Sequence, residues 1–445
     1  MEFLAVAIST LSAVTSGLAF GFSSSTTMQI YFTVSKSTFF TSSLNIGGLV
    51  GSLISVPMLN AIGRRFTLLV SCMASAMGWF WMYMCSDAVY EFSFPISLFI
   101  LGRLLTGIGA GLCIPSVAVY MLEISSPRYR GMVGALPQVG IVTGICISFF
   151  LAIFMVWERI VFTSIIFSCV VLVLVWYLPE SPKRLRSVRC PQDADNVDIR
   201  LSGTRSSHST DTENNSIEAT TKKHSFMVYM CPCSFIPSNQ QPRLRMAIML
   251  MIFQQLTGIN AILFYAESVC LISSAFSPPV CAFYIGLFQM IFTIVAAFVI
   301  NIVRRKKLLM LSAVIMAISQ LAYAITISAN VPSFTVNQFW IILFIFGYSF
   351  GWGPLPILIS MELFPIYSRD NAVSSIVIVN WLFSFIITSL FELITYLINP
   401  SYIFIIFSFF CLISIGYVYK YLPETSYTVG NELSSSSSHK SMLKV

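Results

Sequence analysis

The sequence predicts an all-α membrane protein of 12 transmembrane helices, arranged as two pseudo-symmetric six-helix halves with both termini cytoplasmic. Three observations carry this. The composition is too apolar for a soluble domain: 56% of the 445 residues are hydrophobic and 10% are charged, where charged residues usually make up about a quarter. Charged landmarks also recur at long range. Glu123 opens E-I-S-S-P-R-Y-R-G, which runs to Arg130 and Gly131, and Glu362 opens E-L-F-P-I-Y-S-R-D, which runs to Arg369, at an offset of 239 (362 − 123). Asn60-x-x-Gly-Arg-Arg is echoed from Asn301 at 241 (301 − 60), and Leu178-Pro-Glu-Ser from Leu422 at 244 (422 − 178). A shared offset argues for duplication of a whole membrane half. Finally, the basic residues are placed asymmetrically, as set out below.

A membrane-crossing helix needs roughly 20 apolar residues. Twelve stretches supply them, at about 3–22, 42–62, 66–86, 94–119, 131–155, 160–178, 246–272, 280–302, 308–328, 337–361, 372–396 and 401–421. Residues 1–182 form the first half and 242–425 the second. Between them, 183–241 is a polar cytoplasmic linker, rich in Ser, Thr, Asn and Asp from Ser187 to Ser225 and without an apolar period. Residues 426–445 form a short polar cytoplasmic tail. The chain enters its first span at Phe3, and no cleavable signal peptide is evident.

The net charge of +7 is explained by topology rather than by nucleic acid. With the N-terminus inside, the cytoplasmic loops hold Arg64, Arg65, Arg128, Arg130, the basic 183–245 segment, Arg304 to Lys307 and Arg369. The opposite loops hold Lys36 and Arg159. That asymmetry is the positive-inside rule. The 11 Cys show no zinc or redox spacing. Cys231 and Cys233 read as reduced cytosolic thiols, with palmitoylation as the alternative. The N-x-S sequon at Asn214 falls in the linker and should go unused.

Polar groups inside a bilayer need partners, because desolvation costs several kcal/mol. Charges within the spans are few, and Arg103, Glu267 and Glu392 are the clearest. Amides are more frequent: Gln138 on the fifth span, Gln254, Gln255 and Asn260 on the seventh, Gln289 on the eighth and Asn380 on the eleventh. Uncharged amides offer both donors and acceptors, which suits a neutral ligand rich in hydroxyls. For any one amide the alternative is a bond between helices. Small residues in G-R-L-L-T-G-I-G-A-G-L at 102–112 let helices approach closely. Pro354 and Pro356 in G-W-G-P-L-P should break or kink the tenth span, giving a soft point or a static kink.

A second constellation lies at the inner ends of the spans: Gly63, Arg64, Arg65, Glu123, Arg130 and Glu180 in one half, Arg305, Glu362, Arg369 and Glu424 in the other. Ion pairs across the two halves would hold the inner side closed and break when it opens. Topology anchoring accounts for the basic residues but leaves the matched glutamates unexplained.

These motifs together resemble the sugar porter branch of the major facilitator superfamily, the facilitative glucose transporters. The likeness rests on G-R-R at 63–65, G-R-L-L-T-G at 102–107, Y-M-L-E-I-S-S-P-R-Y-R-G at 120–131 and L-P-E-S-P-K-R-L at 178–185. It continues through Q-Q-L-T-G-I-N at 254–260, G-P-L-P with E-L-F-P-I-Y-S-R at 353–369, Asn380-Trp381 and L-P-E-T at 422–425. F-Q-Q-L-T-G-I-N-A-I-L-F-Y-A-E and the G-F-S-S-S-T of the first span are similar to those of intracellular-type glucose transporters and insect trehalose-type facilitators. The resemblance implies a major facilitator fold with rocker-type alternating access around one central site. It implies a sugar held by Gln138, Gln254, Gln255, Asn260, Gln289 and Asn380, with Trp381 beside them, and a cytoplasmic lock at the charged inner ends. There are departures. Proton-coupled members carry an acid in the first span, which here reads Phe20-Gly21-Phe22-Ser23, so uniport is favoured. Ile357 stands where the family has Trp, and Asn60 and Asn301 stand where it has Asp.

The expected function is therefore facilitated transport of a hexose or similar neutral sugar across the plasma membrane or an intracellular membrane. The expected partners are the sugar and the lipid bilayer, with no nucleic acid, no cofactor and no metal, in a chain that works as a monomer. The alternatives are a transport-dead sugar sensor on the same fold, or a carrier of another polyol or disaccharide such as inositol or trehalose. No nucleophile, base or metal cluster appears in the spans, so an enzyme is not expected.

Overall fold

The computed structural model describes residues 2–29, 34–85, 96–125, 129–181, 238–273, 277–329, 334–364 and 368–424. The readings made for most of the linker, for its cysteines and sequon, for Arg128 and for the tail lie outside them. So do those for the side chains of Lys36 and Arg130.

The chain is helical throughout the described residues. The first half comprises α1 (Glu2–Gln29), α2 (Val34–Ala61), α3 (Arg64–Met84), α4 (Ile96–Ile124), α5 (Arg130–Phe154) and α6 (Trp157–Trp176). The second comprises α7 (Gln241–Leu256), α8 (Ile259–Phe264), α9 (Ala266–Ser273), α10 (Pro278–Val299), α11 (Arg305–Ser328), α12 (Phe334–Phe350), α13 (Leu355–Leu363), α14 (Arg369–Leu397) and α15 (Pro400–Tyr421). Eleven helical segments among the described residues are long and apolar enough to cross a membrane, with α12 and α13 counted as one. The stretch expected at 246–272 is divided into α7, α8 and α9, each too short to qualify alone. Gly258 makes the first division. It sits at φ +80°, a left-handed conformation that glycine adopts without a Cβ penalty. Pro354 and Pro356 make the division between α12 and α13, as the sequence suggested.

The helices are arranged inside-out relative to a soluble protein. The outer face of α6 exposes Phe162, Ile166, Val170 and Val173, a stripe at helical spacing that suits lipid. Buried serines and threonines return their hydroxyls to the preceding turn, as Ser9 does to the Ala5 carbonyl and Ser116 to that of Leu112. Where helices meet, small residues let the backbones touch. A Cβ added to Gly107 of α4 would collide with the Leu44 carbonyl of α2.

The packing repeats as the charges do. Within the first half α2 packs on α4, α1 on α5, α3 on α4 and α3 on α6. Within the second, α10 packs on α12, α7 on α14, α11 on α12 and α11 on α15. Two seams join the sets: α2 along α14, and α10 along α5.

Candidate functional site

A central cavity of about 90 Å³ lies where the two sets of helices meet. All six amides singled out in the sequence line it, and so does Trp381. α5 contributes Gln138, α7 contributes Gln254 and Gln255, α8 contributes Asn260, α10 contributes Gln289 and α14 contributes Asn380 and Trp381. Among the described lining residues none is charged. Ile357 also lines the cavity, as do Phe20 and Tyr348, which the sequence reading did not single out.

The amides are engaged to different degrees. Gln289 is fully buried, and neither its Nε2 nor its Oε1 has a protein partner. Gln255 accepts at Oε1 from Asn260 Nδ2 at 2.8 Å, and Asn260 Nδ2 also reaches Ser384 Oγ at 2.8 Å. Gln254 is committed on both sides. Its Nε2 donates to the Trp352 and Gly353 carbonyls at 2.7 and 3.1 Å, and its Oε1 accepts from Asn380 Nδ2 at 2.9 Å. The Trp381 ring lies directly against Gly48 of α2 and 5.7 Å from the Phe20 ring, and its Nε1 has no protein partner.

The α2–α14 seam carries polar bridges along its length. At one end Thr38 Oγ1 donates to Glu392 Oε2 at 2.8 Å, as does Tyr265 OH at 2.9 Å. Asn45 then donates to Thr388 Oγ1 at 2.9 Å and accepts from Ser384 Oγ at 3.0 Å. Beyond Trp381, Ser55 meets Ser374 at 3.3 Å and Asn60 Nδ2 donates to Asn371 Oδ1 at 3.0 Å. The seam ends with the Arg64 guanidinium against the Asp370 carboxylate. The α5–α10 seam is apolar over the corresponding depth: a Cβ at Gly286 would lie 3.0 Å from Phe149, and the Phe150 and Phe283 rings sit 5.4 Å apart.

The charged inner ends form two matched nests. Arg64 pairs with Glu123 at 3.0 Å, and its backbone N–H donates to Glu180 at 2.9 Å. Arg305 pairs with Glu362, and its backbone N–H donates to Glu424 at 3.1 Å. These glutamates bond within their own halves, where the sequence reading expected pairs across them. The contact that crosses is Arg64 to Asp370, a residue not assigned a role from sequence. Gly63, at φ +103°, turns the chain into α3 so that the Arg64 and Arg65 N–H groups face Glu180. The Arg65 side chain donates to the Trp176 carbonyl and lies over the Trp176 ring. Arg369 donates to the Met361 and Phe364 carbonyls at 2.9 and 3.3 Å, tying α14 to the end of α13.

Arg103 of α4 is fully buried. It donates to Ser23 Oγ of α1 and stacks over the rings of Phe22 and Phe40. Glu267 is buried on α9, and its backbone N–H donates to Ser24 Oγ at 2.9 Å. Cys270 and Cys281 form a disulfide between α9 and α10, with Cα atoms 6.1 Å apart. Cysteine spacing alone could not have revealed it, because pairing is set by the fold. Asn45 and Gln320 carry a signal that was in the sequence, an amide inside an apolar stretch.

The family model described as "Sugar (and other) transporter" matches residues 5–434. The mouse protein "Solute carrier family 2, facilitated glucose transporter member 8" is 27% identical over 95% of this chain and 91% of its own length. The "Facilitated trehalose transporter Tret1" of Apis mellifera ligustica is 26% identical over 90% of this chain and 79% of its own. Among solved structures, the proton:xylose symporter XylE bound to 6-bromo-6-deoxy-D-glucose superposes with a TM-score of 0.79 at 19% identity, covering 96% of each chain, and so shares the fold. With an all-helical major facilitator architecture and a family match over nearly its whole length, this multi-pass membrane protein belongs to the sugar (and other) transporter family.

Proposed function

We propose that the chain is a facilitative transporter that moves a hexose or similar neutral sugar by alternating access. The observation that carries this reading is the cavity lining: six carboxamides, a tyrosine and a tryptophan, with no charged group among the described residues. A sugar hydroxyl both donates and accepts, and a carboxamide meets either need without a counter-charge. Gln289 is the prime ligand, because both ends of its amide are buried without protein partners, a state that costs about 1–3 kcal/mol per group unless a ligand relieves it. Gln138, Gln255 and Asn260 complete the ring from the other walls, and the Trp381 Nε1 offers a further donor. The relatives named for glucose and trehalose facilitation support the substrate class.

Uniport rather than proton coupling follows from the first span. Phe3 to Gln29 holds no carboxylate. Arg103, which would face one, bonds the Ser23 hydroxyl.

The finer architecture is part of the same reading. The chain crosses the membrane 12 times, α7 to α9 making one broken crossing, as two halves at 1–182 and 242–425. The positive-inside charge asymmetry supports cytoplasmic termini. The Cys270–Cys281 disulfide supports this independently, since such bonds persist in oxidising compartments and the α9–α10 loop would then face away from the cytosol. The chain works as a monomer, its cavity being built from one copy.

Uptake of radiolabelled D-glucose and trehalose into proteoliposomes, with and without a pH gradient, tests the proposal. Saturable equilibration that ignores the gradient, and that Gln138→Leu abolishes, is the expected result. Uphill accumulation driven by protons would refute uniport. Failure of a folded protein to move any sugar in a wider polyol panel would leave the sensor reading.

A further inference from the structure

We propose that Gln254 is a positioning residue that clasps the break in the tenth span, and is not itself a sugar ligand. The inference rests on the sugar reading for the site as a whole.

In a continuous helix the Trp352 carbonyl would accept from the backbone N–H of residue 356. That residue is Pro356, which has none. A carbonyl left this way inside a membrane must find another donor, because water is not there to serve it. Gln254 Nε2 provides it at 2.7 Å and reaches the neighbouring Gly353 carbonyl at 3.1 Å. Asn380 Nδ2 then holds the other end of the amide at 2.9 Å. The result is a chain from α14 through α7 to the turn between α12 and α13. Both amide ends of Gln254 are spent on protein, whereas those of Gln289 are not.

A second break is treated alike, which argues for a device rather than an accident. Gly258 turns the chain out of α7 directly after Thr257, and the Thr257 carbonyl accepts from Gln320 Nε2 of α11 at 2.7 Å. Gln320 is buried and lies outside the central cavity, so a glutamine clasp serves a broken span with no sugar at hand. Gln254 differs in that it also touches the cavity wall. A sugar that perturbs the Asn380–Gln254 bond therefore acts on the α12–α13 break, which links occupancy to the soft point of the span.

The test compares Gln254→Leu with Gln289→Leu in the purified full-length chain, and adds a thermal cycle with Pro356→Ala. That last change restores an N–H aimed at the Trp352 carbonyl. Equilibrium binding of radiolabelled D-glucose should stay within about twofold of wild type in Gln254→Leu, while sugar exchange in proteoliposomes slows at least about tenfold; Gln289→Leu should weaken binding at least about tenfold. The loss of unfolding temperature in Gln254→Leu should be smaller in the Pro356→Ala background. Loss of binding in Gln254→Leu equal to that in Gln289→Leu, with the saturating rate unchanged, would overturn the proposal. So would additive effects in the thermal cycle. If Gln254→Leu does not fold, its rescue by Pro356→Ala supports the clasp and failure of that rescue overturns it. The cycle uses no sugar, so it decides the clasp even if wild type binds no glucose, an outcome that would count against the substrate reading instead.

Discussion

The contact between α2 and α4 and its counterpart between α10 and α12 stand at matching places in the two halves, yet they are built from opposite materials. In the first, Gly47 and Gly107 bring backbone against backbone: a Cβ on either would strike a carbonyl of the facing helix. In the second, the residues at the same offset are Phe288 and Phe292, 241 beyond Gly47 and Gly51 (288 − 47), and Phe292 meets the Phe346 ring edge-on at 5.1 Å. Gly347, 240 beyond Gly107 (347 − 107), faces the Met316 and Ile315 side chains of α11 at 3.0 and 3.1 Å. Touching backbones fix a distance, whereas rings and a methionine can change rotamer. The breaks fall on the ring-lined side: α1 and α4 run unbroken, while the corresponding spans of the second half are interrupted at Gly258 and at Pro354. The difference assigns the first half the part of a stiff frame and the second the part that flexes.

Four substitutions sharpen or break that contrast, in descending order of effect. Gly107→Leu drives a branched side chain into the Leu44 carbonyl and should abolish recovery of monodisperse protein. Normal recovery would show that the first half is not the stiff one. Gln289→Leu sits at the place matching Gly48 and should leave the fold intact but cut sugar uptake by about 100-fold or more, the scale of losing both amide bonds to a bound hydroxyl. Asp370→Asn removes the one carboxylate seen bridging from α14 to Arg64 and should shift the inward–outward balance by roughly tenfold, read by accessibility of inner-side cysteines. Glu362→Gln, whose partner lies in its own half, should lower thermal stability without moving that balance. Gly347→Ala should cost under about 1 kcal/mol, because the atoms it meets are side-chain termini, where Gly107→Ala should cost about 1–3 kcal/mol.

The duplication was legible because Glu123, Arg130, Glu362 and Arg369 are charges that lipid cannot hide, and so stand out at any offset. The cavity was legible because an amide in an apolar run needs a reason, and six of them converge. Pairing was less so. Glu123 reads from sequence as a partner for either half, and only helix rotation settles it on Arg64 of its own. Asp370 follows Arg369 and was read as part of that motif, although one residue along α14 turns its side chain by about 100° toward the other half. Gln254 looked like its neighbour Gln255. What separates them is the carbonyl freed nearly a hundred positions later by Pro356, a fact of three-dimensional proximity that spacing along the chain does not encode.

The Trp381 ring lies between Gly48 and Phe20 and faces the cavity, and of the seven tryptophans it is the one among the lining residues. Indole emission follows local polarity and quenching, so the protein carries a native optical probe at the point where a solute would displace water. The difference in fluorescence between the native chain and Trp381→Phe isolates that probe from the other six. A stopped-flow trace of this difference would time solute arrival directly, without a label and before any net flux across the bilayer.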